Sequence, residues 1–161
     1  MSNITLAGKR VLIVDDEPDV LESLEELLDM CTTVRAQTFD QAKTLLETQK
    51  FDIAILDIMG VDGYQLLGIA KKKNIVTVML TAHALSPDYI KKSYFGGAAS
   101  YIPKEEMINI EDFLLDVLKD REEGKNPWLK WYRRLESYLV DKFGSDWDKD
   151  DKRFWHKKDQ S

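Results

Sequence analysis

This sequence predicts an α/β fold, a doubly wound parallel sheet covered by helices on both faces, and three observations carry the prediction. Short apolar runs rich in β-branched residues alternate with stretches of helical periodicity through residues 8–123. The runs are apolar at successive positions, so each strand is buried on both faces, as in parallel sheets. Carboxylates, a hydroxyl and an ammonium follow the runs at their carboxyl ends, where open α/β sheets place their ligands.

The elements follow in order. Val11 to Val14 is the first strand, ending at Asp15 and Asp16. Pro18 opens a helix with Val20, Leu21, Leu24, Leu27 and Leu28 at three- and four-residue spacing. Thr33 to Ala36 is a second strand, and Phe39, Ala42, Leu45 and Leu46 mark a second helix. Ile53 to Leu56 is a third strand, ending at Asp57. Asp62 is expected to cap a third helix carrying Tyr64, Leu66, Leu67 and Ala70, closed by Lys71 to Lys73 against its dipole. Val76 to Leu80 is a fourth strand, followed by a helix opened at Ser86-Pro87. Ser100 to Ile102 is the fifth, an edge strand that tolerates Pro103, and Phe113, Leu114, Val117 and Leu118 lie on the fifth helix. Right-handed crossovers leave few topologies, of which the order 2-1-3-4-5 is a common one.

Composition sets the outer bounds. The 161 residues are 43% hydrophobic and carry a net charge of −6, which argues against a surface given over to nucleic acid or anionic membrane. No apolar run approaches the ~18 residues of a membrane span, and Met1 to Gly8 lacks the pattern of a secretory signal. A lone cysteine, Cys31, excludes an internal disulfide and fits a reducing cytoplasm, so a cytoplasmic protein is expected. Charge divides along the chain: residues 1–120 hold 12 basic and 20 acidic groups, whereas 121–161 hold 11 and 9. All four tryptophans also lie beyond residue 121, so the punctuation at Gly124 to Pro127 marks a boundary between units 1–123 and 124–161.

In the predicted topology Asp15, Asp16, Asp57, Thr81 and Lys104 converge on one sheet edge. Three adjacent carboxylates repel, so one takes a proton or the group binds a cation. An all-oxygen donor set without Cys or His suits Mg²⁺. With its charge compensated, a carboxylate can attack phosphorus and form an acyl phosphate. Thr81 can then hydrogen-bond a phosphoryl oxygen and Lys104 can pair with its charge.

Over residues 8–123 the chain resembles response-regulator receiver domains, on the segments Val11 to Glu17, Ile55 to Met59, Leu80-Thr81-Ala82 and Gly97 to Lys104. The resemblance implies the flavodoxin-like (βα)5 arrangement and phosphorylation of Asp57 by a histidine kinase or phosphotransfer protein. It also implies Mg²⁺ held by Asp15, Asp16, Asp57 and the backbone carbonyl of Met59. Thr81 and Lys104 match the family's phosphoryl contacts, and Thr81 with Tyr101 its switch pair. Phosphorylation would draw Thr81 inward, Tyr101 would rotate into the vacated space, and the face of helix 4, strand 5 and helix 5 would be reshaped for a protein partner. Three departures stand out. The loop after Asp57 is about two residues short, Lys104 precedes Glu105 where the family usually has a cis proline, and the rate-tuning positions hold Met59 and His83. Neither of these last two is a water-positioning carboxylate, so a long-lived phosphoryl group is expected.

Beyond the boundary, Asn126 as cap and Pro127 start a helix over 127–143. Trp128, Trp131, Tyr132, Leu135, Tyr138, Leu139 and Phe143 share one face, with Lys130, Arg133, Arg134 and Glu136 off it. Such a stripe must be buried, against the receiver itself, a second copy, a partner's groove or a membrane surface. Residues 145–161 can form a second short helix with Trp147, Phe154 and Trp155. This segment is too short for the usual DNA-binding effector, and Asp146, Asp148, Asp150 and Asp151 would repel phosphates. The reading is therefore a signalling switch acting through protein contacts rather than a metabolic enzyme. Its rivals are a phosphorylation-independent interaction module and a metal-dependent phosphohydrolase, whose Asp-x-Asp arrangement after strand 1 this chain replaces with Asp15-Asp16-Glu17-Pro18. A flavin-binding module of the same topology is a further rival, but the phosphate cradle rich in Ser, Thr and Gly that it needs after strand 1 is missing from this chain.

Overall fold

The computed structural model describes residues 4–82 and 86–143. Its five strands are β1 (Arg10–Val14), β2 (Thr32–Ala36), β3 (Ile53–Asp57), β4 (Val76–Thr81) and β5 (Ser100–Pro103). All pair in parallel, in the order β2-β1-β3-β4-β5. The helices are α1 (Pro18–Leu27), α2 (Phe39–Thr48), α3 (Gly63–Lys72), α4 (Pro87–Phe95), α5 (Ile110–Glu122) and α6 (Trp128–Phe143). A 3-10 turn over Lys104–Asn109, which no periodicity announced, joins β5 to α5.

β3 and β4 are buried along their whole lengths, and β1 is buried from Val11 onward. Their Val, Ile and Leu side chains meet the apolar stripes of the helices: Leu21 and Leu24 of α1, Leu66 and Leu67 of α3, Leu114 and Val117 of α5. Each fully buried aliphatic side chain contributes about 1.5–3 kcal/mol, so this sheet is a rigid platform for whatever its carboxyl ends carry.

Asp62 stands at the head of α3 but does not cap it. Its backbone is left-handed, with φ of 55°, and its carboxylate accepts from the Gln65 side-chain amide at 2.7 Å. The short loop explains the change. The chain must reverse between Asp57 and Gly63, and the left-handed residue that closes the turn aims its side chain away from the first helical amides. No cis peptide bond occurs among the described residues, so Lys104-Glu105 is trans.

The aromatic helix packs against its own chain. Asn126 accepts the Trp128 amide at 2.9 Å, as an N-cap should. Trp128, Trp131, Leu135 and Leu139 are buried, whereas Arg133, Arg134 and Glu136 are exposed. Tyr132 is half-buried against the same core. The side chains of Tyr138 and Phe143, and everything expected within 145–161, lie outside the described residues. No helix among the described residues is long and apolar enough to cross a membrane.

Candidate phosphoryl and metal site

β1 and β3 are adjacent, so the residues at their carboxyl ends meet. The carboxylates of Asp15, Asp16 and Asp57 each offer an oxygen within 4.8 Å of the others. Asp15 is fully buried because its amide still bonds to the Ala36 carbonyl, extending the β1 ladder by one residue. Asp57 is the last residue of β3 and is 5% exposed. Asp16 projects outward from the turn and is exposed.

Lys104 enters from the far side of the sheet, where β5 ends. Its ammonium lies 2.8 Å from Asp15 Oδ2, 3.7 Å from Asp57 Oδ1 and 4.0 Å from Glu17 Oε2. Asp15 Oδ1 accepts the Glu17 amide at 2.9 Å, and Asp57 Oδ2 accepts the Gly60 amide at 3.1 Å. Burial pushes the pKa of both Asp15 and Asp57 up, and only in part do Lys104 and the backbone donors offset it. Burial works to lower Lys104, but Asp15, Asp57 and Glu17 outweigh it and its pKa rises. One ammonium thus faces three clustered carboxylates and the more distant Glu17, an arrangement with residual affinity for a divalent cation. The donor set fits a hard cation: oxygens alone, one carboxylate solvent-facing, and a cleft of about 210 Å³ above them.

Thr81 closes β4, buried, and shares the cleft with Asp57, Met59, Gly60 and Lys104. Met59 is exposed over the mouth of the cleft, and the Tyr89 hydroxyl of α4 reaches its sulfur at 3.7 Å. Tyr101 of β5 is fully buried beside Thr81, and burial raises its phenol well above the ordinary value. Its ring thus already lies inward. His83, expected near the site, lies outside the described residues.

Gly60 escaped the sequence reading. A Cβ built on it would fall 2.4 Å from the Asp16 carboxylate, so the short loop brings its backbone directly against the outer carboxylate. The missed signal is its place in Asp57-Ile58-Met59-Gly60, where a tight turn must pass an acidic residue. Gly60→Ala should force Asp16 aside and weaken Mg²⁺ binding about tenfold or more, as losses of supporting contacts around metal ligands typically do. Calorimetric titration of Mg²⁺ checks this, and an unchanged affinity contradicts it.

The profile of the response regulator receiver domain family matches residues 11–114. The two-component response regulator ARR12 of Arabidopsis thaliana is 34% identical over 131 residues, covering 74% of this chain and 22% of its own length. The heme response regulator HssR of Staphylococcus saprophyticus is 34% identical over 98 residues, covering 58% of this chain and 43% of its own length. The chain therefore spans less than half of either relative. Among solved structures, a CheY-like receiver domain protein from Methanospirillum hungatei superposes with a TM-score of 0.62 at 26% identity, over 73% of this chain and all of the other.

Proposed function

Because the chain belongs to the response regulator receiver domain family, we propose that it is a phosphorylation-dependent signalling switch whose phosphoryl acceptor is Asp57. The observation that carries this reading is the convergence of Asp15, Asp16, Asp57, Thr81 and Lys104 on one cleft at the carboxyl edge of the sheet. The donor is a phosphohistidine of a histidine kinase or phosphotransfer protein. An Asp57 carboxylate oxygen attacks its phosphorus, a P–O bond forms as the P–N bond breaks, and the departing imidazole keeps the nitrogen lone pair.

This chain's residues orient and neutralise that transfer. Lys104 pairs with a phosphoryl oxygen, Thr81 donates its hydroxyl to another, and the Gly60 amide holds the non-attacking oxygen of Asp57 in place. Asp15, Asp16, Asp57 and the Met59 carbonyl are the residues that would hold Mg²⁺. Bound there, the ion supplies the positive charge that lets two anions approach. Positions 1–123 form the receiver and 124–161 an extension, with output through protein contacts on the face of α4, β5 and α5.

Incubation of the full chain with acetyl phosphate and Mg²⁺, read by intact mass, tests the proposal. One Mg²⁺-dependent phosphoryl adduct is expected on wild type and none on Asp57→Asn. No adduct, or the same adduct on the variant, overturns it. With Met59 and His83 where a water-positioning carboxylate would shorten the lifetime, the adduct should persist for minutes or longer, and decay within seconds would contradict that reading.

A further inference from the structure

α6 lies across α4, β5 and α5 at once. Trp128 packs edge-on against Tyr94 of α4, with ring centroids 5.4 Å apart, and donates its indole N–H to the Ala98 carbonyl at 3.0 Å. Trp131 stacks edge-on against Trp128 at 4.8 Å and donates to the Tyr101 carbonyl of β5. On the α5 side, Lys130 lies 3.0 Å from Asp120, and Arg134 pairs with Asp116 while lying over the Phe113 ring. The binding chemistry of the face is therefore legible in its occupant. It takes two indoles nearly one turn apart, which satisfy carbonyls of an edge strand and the residue leading into it, and two basic groups on the adjoining ridge.

The ion pairs at the rim of this contact are open to water. The ion-paired side chains of Lys130 and Arg134 are 40% and 38% exposed, so water already competes for them. The Ala98 and Tyr101 carbonyls, and the buried Asp120 carboxylate, would meet water once the helix lifts. Gly124, left-handed with φ of 72° and open space around its Cα, separates α5 from α6 as a short joint. Tyr101 joins the two ends of the system: its ring lies beside Thr81 and its carbonyl holds Trp131.

Resting on the assignment of Asp57 as acceptor, we propose that the α4–β5–α5 face is a groove for a helix bearing paired tryptophans flanked by basic residues. Its resident occupant is α6. Phosphorylation draws Thr81 from Tyr101, loosens the Tyr101–Trp131 contact, and lets a partner's helix of the same chemistry replace α6.

Two measurements on the full chain test this. In the first, hydrogen exchange of residues 128–139 is followed with and without the phosphoryl adduct, whose presence is verified by mass. The α6 amides should exchange about tenfold faster in the adduct-bearing protein, a shift of the size allosteric couplings reach. An adduct with unchanged or slower α6 exchange overturns the coupling while leaving the receiver assignment standing. In the second, a fluorescein-labelled peptide of residues 126–143 is titrated onto unphosphorylated wild type and onto Lys130→Glu/Arg134→Glu, which sets like charges against Asp120 and Asp116. The variant should bind the peptide about tenfold tighter than wild type, because its own α6 no longer competes. Equal binding, or none by either, overturns the groove even where no adduct forms. Trp131→Phe, which deletes the indole N–H and part of the ring while keeping an aromatic there, serves the same arm with a smaller shift in the same direction if the double variant does not fold.

Discussion

Lys104→Met is expected to destabilise the metal-free protein by about 3 kcal/mol or more, the cost of stranding a buried charge by removing its partner. Asp15 is fully buried, and the Lys104 ammonium at 2.8 Å is the cation nearest to it among the described residues. Methionine keeps the stem's apolar packing and deletes the charge, so the loss isolates the electrostatics. The sign with pH follows from the raised carboxylates. Asp15 and Asp57 bind protons more tightly folded than unfolded. The stability they contribute is present below the unfolded carboxylate pKa and is lost as pH rises through the folded values. The variant's deficit is therefore larger at neutral pH than near about pH 4, where the carboxylates protonate. Saturating Mg²⁺ should recover part of it. Urea denaturation in chelator and in Mg²⁺, at both pH values, checks all three statements, and a deficit indifferent to both pH and Mg²⁺ contradicts them.

Trp131→Ala is the second large effect. It removes an indole that is 2% exposed and leaves the Tyr101 carbonyl without the donor. Buried aromatic truncations cost about 3–5 kcal/mol. In a chain this size that lowers the melting temperature by about 10 °C, at roughly 2–4 °C per kcal/mol. The loss is bounded by the docking energy of α6, because a helix that detaches altogether can lose no more than its docking contributes. A fall of under about 2 °C in scanning calorimetry would mean that α6 contributes almost nothing to the folded state.

Much of this was open to sequence reasoning because it is dictated by local chemistry. A strand buried on both faces has to read as a run such as Ile53-Ala54-Ile55-Leu56, and a parallel sheet brings the residues after such runs together. That rule alone sets Asp15, Asp16 and Asp57 side by side. What stayed hidden depends on three-dimensional neighbours. Asp62 has the composition of a cap, yet the shortened loop gives it a left-handed backbone that spoils the geometry. The 3-10 turn over Lys104–Asn109 has no period of its own to read. The aromatic stripe of α6 declares that it needs a partner and cannot name one, since burial energy is non-directional. Lys130 and Arg134 lie off the stripe, so periodicity gives them no partner. Their role emerges only because Asp120 and Asp116, four residues apart on α5, run alongside them in register.

The central claim is that Asp57 itself carries the phosphoryl group. Reducing the phosphorylated protein with borohydride converts an acyl phosphate on an aspartate to homoserine, and peptide mapping then locates it. Homoserine at position 57 alone is the predicted result. Its appearance at position 15 or 16, or a phosphoryl group that borohydride does not reduce, would contradict the account.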